Sequence, residues 1–301
     1  MTIGILVFSD ASRDVASNSV RLVEEARALG HEATIFYEPL FAFANDGSGV
    51  SIRYNDAAFV VPHVMIARPN FVEEPMPHAA TLEALRSIGA RVLNGNPEAL
   101  LISKDKITQH LRFAAAELPM PSWTMARTPG HALAAAQDIG FPVIIKVPFG
   151  THGTGVFYAA DTETFSPIVE YLNVRDGNPV IIERFVAEAE RKDLRVLVLG
   201  GYVAAAMERT ARAGDVRANA SIGGSGAVVD LTLEEQTLAI RAAAVVGLDC
   251  AGVDILRSAN GPLLIEINAN PGFIELERAT GINVARCIIE AAVIQIESAR
   301  D

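Results

Sequence analysis

Asp254 lies within the apolar run Ala-Gly-Val-Asp-Ile-Leu, and Glu266 and Asn268 lie within a second one, Pro-Leu-Leu-Ile-Glu-Ile-Asn-Ala-Asn-Pro-Gly. An ionised carboxylate among aliphatic neighbours is costly unless a cation pairs with it or a metal takes it as a ligand. Strand alternation puts Glu266 and Asn268 on one face, and a hairpin through Ser258-Ala259-Asn260-Gly261 brings Asp254 beside them. Two carboxylates and an amide oxygen are hard donors, suited to Mg²⁺ (or Mn²⁺) with positions left for phosphate and water. The alternative is a strand pair with its acids in solvent. Leu263, Leu264, Ile265 and Ile267 leave that face little room.

Candidate phosphate ligands precede these acids. Lys146 ends the run Pro-Val-Ile-Ile-Lys and is followed by Phe149-Gly-Thr-His-Gly-Thr-Gly155. A point charge on a strand, followed by backbone N–H groups that glycine leaves approachable, suits a polyphosphate. The lysine precedes the glycines and no Gly-Lys-Ser/Thr occurs, so this is not a P-loop. Taken alone, the segment reads equally as a β-hairpin with a glycine-rich turn, and His152 reads as incidental. Lys106, in Ser-Lys-Asp-Lys at a helix head, is a second phosphate candidate or a solvated first turn. Glu183-Arg184-Phe185 follow the strand Val180-Ile-Ile and could offer backbone groups to a base, or simply end a strand. Asp193 and Arg195 alternate into Leu-Arg-Val-Leu-Val-Leu-Gly. Arg209, Arg212, Arg217 and Asn219 lie in or beside a glycine-containing loop. Arginine forks suit phosphate and carboxylate, although any one of them also reads as surface.

The elements that must position these groups alternate. Ile3–Phe8 reads as a strand buried on both faces, Ser17–Leu29 as a helix stopped by Gly30, and Ala33–Tyr37 and Phe59–Ala67 as strands. A helix from about His78 to Ile88 and a strand at Arg91–Leu93 complete an open, mostly parallel βαβ unit over 1–94. A helix from about Lys104 to Glu117 then leads to Leu118-Pro-Met-Pro121, a stiff joint. Strands at Ser122–Ala126, Pro142–Val147 and Val156–Ala160, with helices at Gly130–Ile139 and Glu163–Leu172, fill 95–176. The last block, 177–301, holds strands at Val180–Phe185, Leu194–Leu199, Tyr202–Arg209, Ala227–Asp230, Cys250–Leu256 and Pro262–Asn268. Helices at Leu233–Val246 and Ile282–Ala299 pack on them. Its antiparallel density argues against one long doubly wound sheet.

Composition bounds the reading. The chain has 301 residues, 50% of them hydrophobic, enough for about two domains with a large core. A net charge of −11 argues against a nucleic-acid partner, which needs a basic face. Cys250 and Cys287 both sit in apolar stretches and read as buried thiols, neither a disulfide framework nor a zinc site. Met1–Asp10 reads as a strand rather than a signal peptide, and no apolar run is long enough to span a bilayer. The expectation is a soluble, cytosolic chain with no membrane partner.

Taken in order, Lys106, Lys146 with its glycine loop, Glu183, Asp193, Arg217-Ala-Asn219, Gly223-Gly224, Asp254 and Glu266-Ile-Asn268-Ala-Asn-Pro-Gly272 resemble the ATP-grasp superfamily, and within it the RimK-type carboxylate–amine ligases. The stretches AGVDILRSANGPLLIEINANPG and MERTARAGDVRANASIGG carry most of the match, which runs nearly end to end. The resemblance implies an α/β chain: an N-terminal Rossmann-like domain (1–94), then two ATP-grasp lobes (95–176 and 177–301) with ATP between them. It implies that Lys106 and Lys146 contact the α- and β-phosphates under a loop carrying Gly153, Thr154 and Gly155. Glu183, Arg184 and Phe185 would face adenine, and Asp193 the ribose. Asp254, Glu266 and Asn268 would hold Mg²⁺, with Arg217 and Asn219 near the transferred phosphate. Lys146 and Arg217 are then the residues that absorb charge during catalysis.

The implied reaction phosphorylates a carboxylate, of a small molecule or of a peptide or protein C-terminus, and lets an amine, an amino acid in most such enzymes, displace phosphate. Members are often dimers or tetramers, so a homo-oligomer is also implied. Alternatives within and beyond the group are a ligase of lysine or cofactor biosynthesis and an ATP-binding regulator without turnover. The intact Asp254, Glu266 and Asn268 argue against the regulator. Two departures stand out. The adenine segment reads Glu-Arg-Phe where the family pattern has Gln-Glu-Tyr, and Ser221-Ile222 stand where glutamate-adding members have His-Arg. The second removes a cation from beside the acceptor, which weakens the expectation of an acidic amine.

Overall fold

An uninterrupted aliphatic strand needs cover on both faces and hydrogen-bond partners on both edges. In the computed structural model β1 (Thr2–Val7) obtains both. After it come α1 (Ser17–Ala28), β2 (Glu32–Tyr37), β3 (Phe41–Asn45), β4 (Val50–Tyr54), β5 (Ala57–Ala58), β6 (Val64–Arg68), α2 (Met76–Ser87) and β7 (Val92–Leu93). Strands β2-β1-β6-β7 form a parallel sheet. The structure describes residues 1–9, 16–45, 47, 49–69, 75–149, 155–212 and 225–297.

The strand expected over Phe59–Ala67 is confined to β6, and residues 41–58 instead make a separate antiparallel sheet, β3-β4-β5. Phe36, Phe41, Tyr54 and Phe59 meet there with centroids 4.9–6.5 Å apart, which gives a short hairpin the apolar contact it lacks by itself. The reading above missed it, although the alternating segments flank Asn45-Asp-Gly, a usable hairpin signal.

The middle of the chain gives α3 (Pro97–Lys104), α4 (Lys106–Ala115), β8 (Trp123–Ala126), α5 (Pro129–Ile139), β9 (Val143–Lys146), β10 (Val156–Ala159), α6 (Thr162–Asp176) and β11 (Val180–Arg184). The sheet order is β10-β9-β11-β8, antiparallel throughout. The helix expected over about 104–117 is α4, and a separate helix, α3, precedes it. Asp105 adopts extended backbone, ends α3, and caps α4 by accepting from the Ile107 amide (3.0 Å) and the Thr108 hydroxyl (2.5 Å). Asn96 and Pro97 start α3.

The last block contains β12 (Lys192–Leu199), β13 (Tyr202–Thr210), β14 (Ser225–Val228), α7 (Leu233–Val246), β15 (Cys250–Ser258), β16 (Gly261–Asn268), α8 (Ile274–Thr280) and α9 (Val284–Glu297). Its five-stranded sheet runs β14-β13-β12-β15-β16, again antiparallel. One face carries Leu194, Val196, Val198, Val253 and Ile255 against α7 and against Ala99, Ile102 and Phe113 of α3 and α4. The other carries Leu197, Leu199, Ala205 and Met207 into a core shared with Ile3, Ile5 and Leu22 of the N-terminal unit and Val284 and Ile288 of α9. Helix α9 is therefore packed between two sheets rather than on the last one alone. Cys250 is buried and Cys287 half-buried, both free. Among the described residues no helix is long and apolar enough to cross a membrane.

Candidate active site

Period-two geometry decides which polar residues leave the core. On β12, Asp193 and Arg195 continue the face of Leu197 and Leu199; on β15, Asp254 shares its face with Cys250. Register then pairs them. Asp193 lies opposite Arg209, Arg195 opposite Asp254, and Asp254 opposite Glu266. By strict alternation Glu266 would share a face with Leu264, a core residue. The register shifts between Asp254 and Ile255, so that Ile255 faces Leu264 and Ile265 is the extra residue of a β-bulge. That bulge turns Glu266 into the site while Leu264 stays in the core, and the Leu264 amide donates to the Pro119 carbonyl of the proline joint at 2.8 Å.

Arg195 grips Asp254 with Nε–Oδ1 at 2.6 Å and Nη2–Oδ2 at 3.1 Å, and Arg209 adds Nη2–Oδ2 at 3.0 Å. Arg209 also forks onto Asp193 at 2.6 and 2.9 Å. Burial works against charge on Arg209, but Asp254 and Asp193 outweigh it and keep the guanidinium protonated. Lys106 Nζ lies 3.3 Å from Glu266 Oε2, and Asn268 Nδ2 donates to Glu266 Oε1 at 3.3 Å. Burial opposes ionisation of Glu266, yet Lys106, Lys146 and Arg195 overcome it and hold the carboxyl at about 2. Lys146, on β9 of the other antiparallel sheet, is thus near enough to contribute to that effect.

These three residues fit a hard divalent cation. Among the described contacts, Asp254 Oδ1 meets Arg195, Glu266 Oε1 meets Asn268 and Glu266 Oε2 meets Lys106; a carboxylate oxygen with one donor retains a lone pair, and the Asn268 bond uses its nitrogen, not its carbonyl oxygen. The donor chemistry expected from the sequence is therefore present.

On the facing sheet, Lys146 sits one pleat along from Glu183 on the neighbouring strand, within reach of a long side chain. Its Nζ lies 2.6 Å from Glu183 Oε2. His110 Nε2 lies 2.6 Å from Glu183 Oε1, and its Nδ1 2.6 Å from the Lys106 carbonyl. Glu183 is 4% exposed. Burial would raise its pKa, but Lys146 and His110 prevail and bring it to about 2. Among the described residues, Lys106 thus faces Glu266, Lys146 faces Glu183, Arg195 faces Asp254, and Arg209 faces both Asp254 and Asp193.

The sequence missed His110, although it stands one turn after Lys106 on α4 and so shares its face. It also missed Gln109, whose buried Oε1 accepts from the Ile267 amide at 3.0 Å and anchors β16 between the two metal candidates. The Arg184 departure has a simple account. Its backbone amide bonds the Ser122 carbonyl, while its side chain turns outward to Glu188 at 3.6 Å. Phe185 is half-buried, with Tyr158 edge-on at 5.1 Å. At the base of the glycine loop, Gly155 has φ +80° and its carbonyl accepts from the Val147 amide. Gly153, Thr154, Arg217 and Asn219 lie outside the described residues, as do Ser221 and Ile222.

Comparison with known proteins follows the same lines. The model of the RimK-like ATP-grasp domain matches residues 103–292. A probable alpha-L-glutamate ligase of Shewanella pealeana is 33% identical over 97% of this chain, and one of Stenotrophomonas maltophilia 35% identical over 90%. The chain spans 62% of the Shewanella protein and 92% of the Stenotrophomonas one. Among solved structures, the ATP-grasp ligase PsnB with a phosphomimetic variant of its minimal precursor, Mg and ADP superposes with a TM-score of 0.74 at 20% identity, covering 97% of this chain and 98% of that one. D-alanine–D-alanine ligase from Bacillus anthracis superposes at 0.68 with 15% identity, covering 99% of both chains. These two likenesses establish the fold.

Proposed function

This chain belongs to the RimK-like ATP-grasp family, and we propose that it is an ATP- and Mg²⁺-dependent ligase that joins a carboxylate to the amino group of an amino acid. The observation that carries the reading is the facing arrangement of Lys106 and Lys146 with Asp254, Glu266 and Asn268, its charges paired off. Cations already paired with carboxylates do not by themselves neutralise a triphosphate of about four negative charges, which favours further cations arriving with it. That supports entry of the nucleotide as its Mg²⁺ complex, with Mn²⁺ a second hard cation the same oxygens suit.

Asp254, Glu266 and Asn268 would hold the metal, which when bound neutralises charge on the phosphates and acts as a Lewis acid. Lys106 and Lys146 exchange their present carboxylate partners for phosphate oxygens. Arg195 and Arg209 hold Asp254 oriented. A substrate carboxylate oxygen then attacks the γ-phosphorus, the bond to ADP breaks, and an acyl phosphate forms. The amine nitrogen attacks the acyl carbon, phosphate leaves with the bonding pair, and the nitrogen loses a proton. Positioning and charge neutralisation suffice for such a transfer, so no protein nucleophile is needed. Arg217 and Asn219, and Gly153 and Thr154 of the glycine loop, are proposed for the transferred phosphate and the loop over it. Asp193 is proposed for the ribose. The units 1–94, 95–176 and 177–301 are proposed as the three domains. The carboxylate is that of a small molecule or of a peptide or protein C-terminus.

Hydroxylamine captures acyl phosphates, so incubation with ATP, Mg²⁺ and a panel of acids should give a hydroxamate together with ADP. Glu266→Ala should lower that yield at least about 100-fold while leaving the fold intact. Undiminished turnover in that variant removes the metal assignment, and ADP release without any acyl adduct removes the ligase reading.

A further inference from the structure

Within the nucleotide site proposed above, one feature belongs to neither the metal set nor the lysines. His110 is 2% exposed, and Trp123 lies edge-on to its ring at 5.1 Å. Both ring nitrogens face acceptors, the Lys106 carbonyl and the Glu183 carboxylate, each at 2.6 Å. A neutral imidazole carries one N–H and cannot donate to both. With Nδ1–H donating to the Lys106 carbonyl, a second proton lies between Nε2 and Glu183 Oε1, on one or the other. In either case Oε1 of Glu183 is tied to the ring.

What remains of Glu183 is Oε2, now on Lys146. Once that lysine turns to phosphate, the exposed edge of Glu183 is a fixed acceptor. An acceptor edge takes the 6-amino group of adenine and repels the 6-oxo group of guanine. The glutamine of the family pattern is different, because an amide can present either its oxygen or its nitrogen by turning over. A carboxylate tied at one oxygen has no such freedom. His110 and Glu183 thus stand together where the pattern has an amide.

We propose that His110 is a positioning residue which, by holding one oxygen of Glu183, makes the site accept an adenine 6-amino edge and reject a guanine 6-oxo edge. The proposal rests on the nucleotide-site reading, and the two can fail separately.

The test is equilibrium binding of Mg·ATP and Mg·GTP to the full chain and its variants. The wild type should prefer ATP by about 100-fold or more, as expected where a buried polar group is left unpaired by the wrong ligand. His110→Phe keeps the ring volume against Trp123 but has no donor, and should cut that preference about tenfold or more. His110→Gln can still donate to Glu183 and should retain most of it. Glu183→Gln restores the reversible amide and should relax the preference as His110→Phe does, which serves if His110→Phe does not fold. An unchanged ratio in folded His110→Phe or in Glu183→Gln overturns the proposal. So does equal binding of ATP and GTP by the wild type, which leaves the nucleotide site standing. Failure of the wild type to bind either nucleotide sinks the site reading itself.

Discussion

Lys146 illustrates how much one residue holds at the smallest scale. It pairs with buried Glu183 and also lowers the pKa of Glu266, so its loss has two consequences. Lys146→Met should leave Glu183 with only its His110 contact, costing about 3 kcal/mol of stability, since breaking a buried pair strands a charge. It should also weaken ATP binding by about 100-fold. Urea denaturation and calorimetric titration measure these separately, and an unchanged Kd removes the lysine from the site. The same carboxylates set an acid limit. Glu183 and Glu266 both titrate near 2 when folded, below the ordinary carboxylate value of 4.5. The native state thus binds these protons less readily than the unfolded chain. The stability they contribute is complete above about pH 4.5 and is lost as pH falls toward 2. Melting temperatures taken from pH 6 to pH 3 should fall, and should fall less steeply in Glu183→Gln. Equal slopes in the two proteins would deny Glu183 that role.

Elements decide where these side chains point. Two devices matter most, the bulge at Ile265 and the turn that begins at Gly155. The bulge was not legible, because Leu263-Leu-Ile-Glu-Ile reads the same with or without an extra residue. Only pairing against β15 reveals it. Gly155, by contrast, was legible as one of a glycine cluster, though not its reason. A Cβ there would sit 2.2 Å from Val147 Cγ2, on a backbone with φ +80°. Gly155→Ala should destabilise the chain by about 1–3 kcal/mol and weaken nucleotide retention by loosening the loop on β9 and β10. Denaturation compared with the wild type would show it, and equal midpoints for the two would contradict it. Helix α3 and the break at Asp105 that ends it were missed, because the expected helix begins at about Lys104, the last residue of α3. The importance of the break is directional: it starts α4 at Lys106 and so aims Lys106 and His110 together.

The N-terminal unit is joined to the last sheet through polar ties as well as α9. Asn94, 4% exposed at φ +59°, donates to the Cys250 and Ala269 carbonyls and accepts from the Asp249 and Cys250 amides, at 2.6–2.9 Å. Arg68 donates to the Pro271 carbonyl at 2.9 Å above the Phe273 ring, and Asn18 accepts from the Phe273 amide at 2.8 Å. All three ties converge on the start of β15 and the segment after β16, next to Asn268. Asn94→Ala leaves several buried backbone groups without partners and puts alanine at a positive φ that asparagine tolerates better, for an expected loss of about 3 kcal/mol. It should also blunt ATP-dependent hydroxamate formation. A variant as stable and as active as the wild type would show that the tie is redundant.

Local chemistry determined a good deal by itself. Apolar runs interrupted by single acids, alternating polar residues on strands, and a lysine before a glycine cluster announce charge that must be compensated, because water cannot reach it. Hence Lys106, Lys146, Glu183, Asp193, Asp254, Glu266 and Asn268 could be picked out, with the antiparallel character of the last block and the family resemblance. Which partner compensates each charge was decided by tertiary structure alone. Register set Arg195 on Asp254 and Arg209 on Asp193, a bulge turned Glu266 out of the core, and the docking of α4 on β11 brought His110 to Glu183. Such pairings join residues 16 to 73 positions apart. Their energies depend on distances of a few ångströms, which a linear pattern of residue types does not contain.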